Sequence, residues 1–464
     1  MGVTAAESGT YNDFTNINLA GLTPDGRDGS SEVSLILLEV LDELRLLQPQ
    51  ANVQVSARTP DRVLKEACRV IRNGSGYPSL FNADEVVLAQ TAMGKHLVDA
   101  REGGTSGCIE TGCFGKEAYV LHGYLNVPKI LELALNDGVD PVSGKKLGPS
   151  TGKPESFRDF EELYAAFRTQ LEYVVGWKVK VSEDLDKMYG LNVPAPFLSV
   201  YIDDCIEGGT DYYRGGARYN TDYIQCVGLG TVTDSLSAIR THVFEDGTIG
   251  FPELQTALRD DWNGHEALRQ RIRIKTPLFG NDDDRADALA VRVLETLIGT
   301  IEGRKSWRGG TYYVDLLSTT CHVYFGLKTG ATPDGRRARA PESDGTSPSH
   351  GSDRSGPTAV MKSLGKLDQA RTGGTLLNQR FLPAALAGEQ GIEKLASLVR
   401  GYFRMGGHHV QFNVVDEATL RDAQKRPDAY RGLLVRVAGY SDYFVDLDRN
   451  HQEEIIARTA QEGF

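Results

Sequence analysis

Residues 30–74 read SSEVSLILLEVLDELRLLQPQANVQVSARTPDRVLKEACRVIRNG, and this stretch sets the fold class. Val33, Ile36, Leu37, Val40, Leu41 and Leu44 recur at helical spacing behind Ser30 and Ser31, two candidate N-caps. NVQVSAR (52–58) then alternates apolar and polar residues, which places Val53 and Val55 on one side of a strand. Thr59-Pro60 opens the next helix with a capping residue and a proline suited to the first turn. Val63, Leu64, Ala67, Val70 and Ile71 line that helix, and Gly74 ends it. The rhythm predicts an α/β fold with helices covering a sheet or barrel.

Working outward, residues 155–190 are expected to form a long helix, followed by an apolar strand, FLSVYI, at 197–202. Towards the C-terminus a helix over 392–404 leads to the strand HVQFNVV (409–415), and Asp416 caps a further helix. LLVRVAG (433–439) reads as a buried strand, and a last helix carries Gln452–Arg458. The segment from Thr332 to Gly356 is dense in Gly, Pro, Asp and Ser and reads as an irregular loop that wraps the domain. No internal repeat or long linker divides the chain.

The composition is that of a globular protein: 464 residues, 40% hydrophobic and 25% charged, with 51 glycines. A net charge of −12 argues against nucleic acid and anionic membrane as partners. No apolar run approaches the roughly 18 residues of a membrane span. The N-terminus lacks a secretory pattern, and Ala6 breaks the myristoylation motif. Six cysteines in a chain of this length do not form a disulfide scaffold, so a cytoplasmic location is expected.

Two segments carry candidate chemistry. In GGTSGCIETGCFGKE (103–117), Gly103, Gly104, Gly107 and Gly112 make a loop able to approach another group closely around Cys108. Glu110 lies two residues on, so in an extended segment thiol and carboxylate share a side and can handle a hydrogen atom and a proton of one substrate. On this segment alone, an inert buried cysteine beside a surface glutamate is the more economical reading. Cys113 completes no CxxC motif, and only His122 is near enough to consider for a metal. A cysteine protease would need a histidine. His408-His409 offers at most one, since strand neighbours face opposite ways. NDDD (281–284) and Asp203-Asp204 fit helix capping better than cation binding, and GGARYN (215–220) is not a nucleotide loop. In RVAGYSDYF (436–444), Gly439 reads as a turn glycine. A glycine at the apex of a buried loop can also hold a planar α-carbon radical, stabilised by the flanking amide groups, if a thiol lies close enough to exchange hydrogen with it.

Taken together, these segments resemble the glycyl radical enzymes, the pyruvate formate-lyase-like group. RVAGYSDYF is similar to their C-terminal radical motif and GCIE (107–110) to their active-site Cys loop. The likeness continues through GGARYNTDYIQCVGLGTVTDSL (215–236), FGNDDD (279–284), TGATPDGRRA (329–338), SGPTAVMKS (355–363) and GGHHVQFNVV (406–415), in the family's order. The resemblance implies an α/β barrel of parallel strands with outer helices, with a Cys loop and a Gly loop meeting inside. It also implies a radical stored on Gly439, a thiyl at Cys108, proton transfer by Glu110, and no bound metal or nucleotide. The partners it implies are an activating enzyme that uses S-adenosylmethionine and an iron–sulfur cluster, a small organic substrate, and further copies of the chain in a homo-oligomer. Oxygen sensitivity at Gly439 follows.

Family members are considerably longer, and FTNINLAGLTPDG (14–26) is similar to their mid-enzyme sequence. Only a partial barrel is therefore expected: residues 1–330 as a partial barrel region with the Cys loop, and 331–464 as the C-terminal barrel region with the glycyl radical domain. Such a barrel would expose strand edges and apolar surface, and a second chain could supply the missing half. Ile109 follows Cys108 where pyruvate formate-lyases have a second cysteine, which argues against formate and acetyl chemistry. Thr111 replaces the proline typical of diol and choline lyases, and GCIETGCFGKEAY looks closer to the arylacetate decarboxylases. The expected activity is a glycyl radical lyase that decarboxylates an aryl acetate or similar carboxylate. The alternatives are a dehydratase, a C–S lyase, or a catalytically silent fragment serving as an interaction subunit.

Overall fold

All six residues of Gln50–Val55 are buried, including those between Val53 and Val55, so this strand is covered on both faces as parallel strands are. The computed structural model describes residues 16–106 and 108–464; residues 1–15, including Ala6, and Gly107 lie outside the described residues. Two mostly parallel sheets organise the chain. The larger has the order β1 (Asn16–Ala20), β2 (Gln50–Val55), β3 (Ser79–Asn82), β11 (His409–Val414), β10 (Asn378–Phe381) and β14 (Ala460–Gln461). Its neighbours run parallel except β3 and β11, which are antiparallel. The second sheet is wholly parallel: β6 (Glu117–Asn126), β7 (Tyr219–Val227), β8 (Thr311–Leu316) and β9 (Gly374–Thr375). Only Leu376 and Leu377 separate β9 from β10, so one continuous segment joins the two sheets. Each sheet takes strands from both sides of residue 330.

Two hairpins complete the framework. One pairs β4 (Gly104–Thr105) with β5 (Thr111–Gly112), and the other pairs β12 (Leu434–Arg436) with β13 (Ser441–Tyr443). They hold the Cys loop and Gly439 at their respective tips.

The helices follow the sequence signals with two corrections. In α1 (Glu32–Leu44) Leu38, Leu41 and Ser34 face the core, whereas Val33, Ile36, Val40 and Leu44 of the expected face are exposed. Apolar residues surround much of this helix, so periodicity alone defines two stripes and packing chooses between them. In α2 (Asp61–Arg72) Val63, Leu64, Ala67, Val70 and Ile71 are all buried, and Gly74 ends the helix at φ +85°. Thr59 accepts the Ser56 N–H rather than capping α2.

The long helix α3 spans Phe160–Asn192. FLSVYI is not a strand: Pro196–Val200 forms a short helix, with Phe197 77% exposed. Pro194 and Pro196 supply no N–H for a ladder, and a proline at the first turn favours a helix start. Further helices are α4 (Leu229–Ile239), α5 (Glu266–Lys275), α6 (Asp284–Ile301), α7 (Gly388–Arg404), α8 (Glu417–Lys425) and α9 (Arg449–Ala457). Asp416 caps α8 by accepting the Thr419 N–H, as expected. Residues 332–356 contain no helix or strand.

The two stripes of α1 make a direct comparison. Leu38→Ala should cost about 2–5 kcal/mol in chemical denaturation, whereas Ile36→Ala should stay within about 0.5 kcal/mol of the parent. Equal effects would contradict the inward assignment of Leu38.

Candidate functional site

Hairpin geometry brings the two chemistry-bearing segments tip to tip. Gly439 sits between β12 and β13 at φ +87°, a conformation glycine adopts freely and other residues resist. A Cβ placed on Gly439 would lie 2.8 Å from both Cys108 Sγ and Cys108 Cβ. No side chain fits there. The glycine is therefore required twice, by its backbone angle and by contact with the thiol.

The glycine hairpin is held by polar groups reaching from the four central strands of the larger sheet and by Arg458. The Val437 N–H donates to Tyr440 O at 2.8 Å, and the Gly439 N–H to Gln411 Oε1 at 3.2 Å. Val437 O accepts from Asn378 Nδ2 at 3.0 Å and from Arg458 Nη2 at 2.8 Å. Arg436 is wholly buried among neutral acceptors: Gln411 Oε1 at 2.7 Å, Gln50 Oε1 at 2.5 Å and Ser79 Oγ at 2.6 Å. Burial pulls its guanidinium down to about 10, so it remains charged at neutral pH. Gly76, at φ +75°, leaves room for this hairpin, since a Cβ there would meet Ser441 Oγ at 2.9 Å.

The Cys loop is held as firmly. The Ser106 N–H donates to Glu110 O at 2.7 Å, closing the turn, and Ser106 Oγ donates to the Glu110 carboxylate. Gln225 Nε2, projecting from β7, donates to Glu110 Oε1 at 3.1 Å. Glu110 is buried rather than on the surface. Cys108 is half-buried beside Phe81, Ile109, Leu317, Leu376 and Ala438. Burial, reinforced by the Glu110 carboxylate, raises its pKa above the ordinary thiol range. A nucleophilic cysteine requires the opposite shift. This sulfur keeps its hydrogen at neutral pH, which suits hydrogen-atom exchange.

His408 and His409 are both fully buried. His408 Nε2 faces Ile109 O at 3.4 Å, and burial pushes this imidazole down to about 4, so it is neutral. Neither forms the thiolate-activating partner of a protease. Asp283 caps α6 through the Arg285 N–H, Asp282 pairs with Lys362, and Asp203 and Asp204 pair with Arg218. Among the described residues two clusters have the spacing of metal ligands: His122, Asp186 and Asp222, and Asp344, His350 and Glu454. Each already contains a guanidinium counter-ion, Arg308 at 2.5 Å from Asp222 and Arg458 at 2.8 Å from Glu454.

Sequence reasoning missed Gln225, Gln411, Arg436 and Asp315. The signal was there in each case, a polar residue between two apolar neighbours: Ile224 and Cys226, Val410 and Phe412, Val435 and Val437, and Val314 and Leu316. Asp315 in β8 is the register partner of Gln225, which puts both side chains on one face of the sheet. It is fully buried, and neither carboxylate oxygen has a hydrogen-bond partner among the described residues. Burial, and secondarily the charge of Glu110, raises its pKa far above the usual carboxylate range.

Similarity to known proteins agrees with this geometry. The family model described as "Pyruvate formate lyase-like" matches residues 1–326, and "Glycine radical" matches residues 342–445. The chain belongs to the pyruvate formate-lyase-like glycyl radical enzymes, a family whose cofactor is a glycyl radical. It is 51% identical over 461 residues to a trans-4-hydroxy-L-proline dehydratase from Clostridioides difficile, covering 99% of this chain and 58% of that relative. The crystal structure of a hydroxyproline dehydratase from that organism, with trans-4-hydroxy-L-proline bound, superposes with a TM-score of 0.98 over 100% of this chain and 59% of that one. An indoleacetate decarboxylase from Tractidigestivibacter scatoligenes is 32% identical, over 98% of this chain and 55% of the relative. The chain thus spans somewhat over half the length of these relatives. The decarboxylase expected from the Cys loop is the more distant match, and the dehydratase alternative is the better supported.

Asp315 gives a pH-dependent test. With its folded pKa raised above the unfolded value, wild-type stability should fall as pH rises from about 4 towards the folded pKa. Asp315→Asn should therefore match wild type near pH 4 and be more stable than it at pH 7. A variant less stable than wild type at pH 7 would show that the carboxylate is compensated.

Proposed function

We propose that this protein is a glycyl radical dehydratase, removing water from a small hydroxylated substrate of the hydroxyproline type. The observation that carries the radical reading is the approach of Cys108 Sγ to within 2.8 Å of where a Gly439 side chain would begin. The dehydratase assignment rests on 51% identity to a hydroxyproline dehydratase along nearly the whole chain.

When formed on Gly439, the glycyl radical supplies the unpaired electron by which the Cys108 thiol becomes a thiyl. Cys108 then removes a hydrogen atom from the substrate carbon beside the one bearing the hydroxyl. Glu110, fixed by Ser106 and Gln225, takes a proton from the heteroatom on that radical carbon and delivers it to the departing hydroxyl, so that water leaves and Glu110 is restored. The remaining product radical recovers a hydrogen atom from Cys108. The thiol must stay protonated between turnovers, and its burial and raised pKa meet that requirement. A radical S-adenosylmethionine activating enzyme installs the radical. Decarboxylation by the same thiol would release carbon dioxide, which separates the two readings directly.

After anaerobic incubation with a cognate activating enzyme, electron paramagnetic resonance should show a glycyl doublet. Trans-4-hydroxy-L-proline should then lose water. Cys108→Ser should keep the doublet and lower turnover by at least about a thousandfold, since hydrogen abstraction is removed. Gly439→Ala should show no doublet. Turnover retained in Cys108→Ser, or release of carbon dioxide in place of water, would overturn this reading.

A further inference from the structure

A cavity of about 290 Å³ lies between α5, the turn at 334–337, the 349–354 loop and the C-terminal end of α9. This is near the lower end of the roughly 300–1,000 Å³ typical of small-molecule sites. None of its lining residues belongs to the two hairpins of the reaction centre.

Five arginines and two aspartates line the cavity. Arg269 and Arg273 lie four residues apart on α5, where like charges repel. Gly335 allows both stems to cross the turn: a Cβ there would meet Arg273 Cγ at 2.9 Å and Arg269 Cγ at 3.4 Å. Arg269 is engaged by Gly335 O at 2.7 Å and Glu266 at 3.0 Å. The Arg273 guanidinium makes no hydrogen bond or ion pair with any described residue. Among the described residues, Arg354 bonds only through its backbone, donating to Asn281 Oδ1 at 2.7 Å. Partial burial, then the charges of Arg269 and Arg354, lower the pKa of Arg273.

Neither carboxylate of the cavity forms an ion pair with Arg273, although the charges of Asp334 and Glu266 partly offset its own. Asp334 is used within its own turn, accepting from Thr332 Oγ1 and from the Arg336 N–H at 3.3 Å. Asp234 accepts the Phe279 N–H at 2.8 Å, and burial raises its pKa well above the carboxylate range. Two guanidiniums without ion-pair partners, beside a third, supply the forked donors by which arginine holds phosphate oxygens.

We propose that this cavity is a phosphate-binding site, taking inorganic phosphate or the phosphate of a small monoester between Arg273 and Arg354. An occupant would link α5 to the 349–354 loop next to Ala457 of α9. The following residue, Arg458, donates to Val437 O in the glycine hairpin.

The test is binding to the full chain at matched ionic strength, by calorimetry and thermal melting. The ligands are inorganic phosphate, sn-glycerol 3-phosphate and, as controls, chloride and glycerol. Both phosphate species should raise the melting temperature where chloride and glycerol do not. Arg273→Gln and Arg354→Gln should each weaken binding about tenfold or more, the scale of losing a charge-assisted hydrogen bond. The exposed Arg431→Gln, outside the cavity, should bind as wild type. Neither cavity variant removes an internal bond, so both should fold, and Arg273→Gln should melt no lower than wild type without phosphate. Tighter binding of the ester would identify a phosphomonoester as the occupant, and equal binding would identify free phosphate. No phosphate-specific shift, or undiminished binding in both cavity variants, would overturn the proposal.

Discussion

The structure depends on a contact that leaves no room for a single extra carbon. Gly439 and Cys108 come from opposite parts of the chain, yet the backbone of one meets the sulfur of the other at van der Waals range. Such closeness is demanding because each tip is a turn of only a few residues, and neither has enough local contacts to hold itself. Position is imposed from outside. The glycine hairpin is fixed by side chains of β2, β3, β10 and β11 and by Arg458. The Cys loop is fixed by its own serine and by a glutamine from the second sheet.

Arg436 shows how that constraint is met at some cost. Burying an unpaired guanidinium is unfavourable, and natural proteins usually supply a carboxylate. Here four neutral oxygens surround it, from Gln411, Gln50, Ser79 and Ser441. A carboxylate in that cage would place a fixed negative charge beside the glycine and the thiol. Neutral acceptors bind the arginine without adding one. Gln411 serves both ends, accepting from Arg436 and from the Gly439 N–H. The centre thus holds a neutral thiol, a neutral backbone carbon and a neutral histidine, with ionisable oxygen chemistry concentrated on Glu110 and Asp315.

Much of this was legible from residues alone, for reasons that differ by feature. Cys108, Glu110 and Gly439 stood out because their glycine-rich contexts and the order of the intervening segments form a family pattern. The faces of α2 were legible because its apolar residues define one stripe. The inward face of α1 was not, since its apolar residues surround the helix. FLSVYI misled because β-branched and aromatic residues outweighed two prolines in the reading, and the prolines decided the conformation. The supporting polar shell was the least accessible. Gln50 and Arg436 are separated by 386 residues, and no local spacing links them. The shift from decarboxylase to dehydratase has a similar origin, because a few residues around the thiol do not fix which substrate bond breaks.

The central claim is that a hydrogen atom passes between the Gly439 α-carbon and the Cys108 sulfur. The direct measurement is the electron paramagnetic resonance line shape of the activated protein after transfer into D₂O. A thiol exchanges its hydrogen with solvent, so passage through Cys108 should replace the remaining α-hydrogen by deuterium and collapse the glycyl doublet to a singlet. In Cys108→Ala the doublet should persist in D₂O. A doublet that never collapses in the wild type, or that collapses equally without Cys108, would contradict the account.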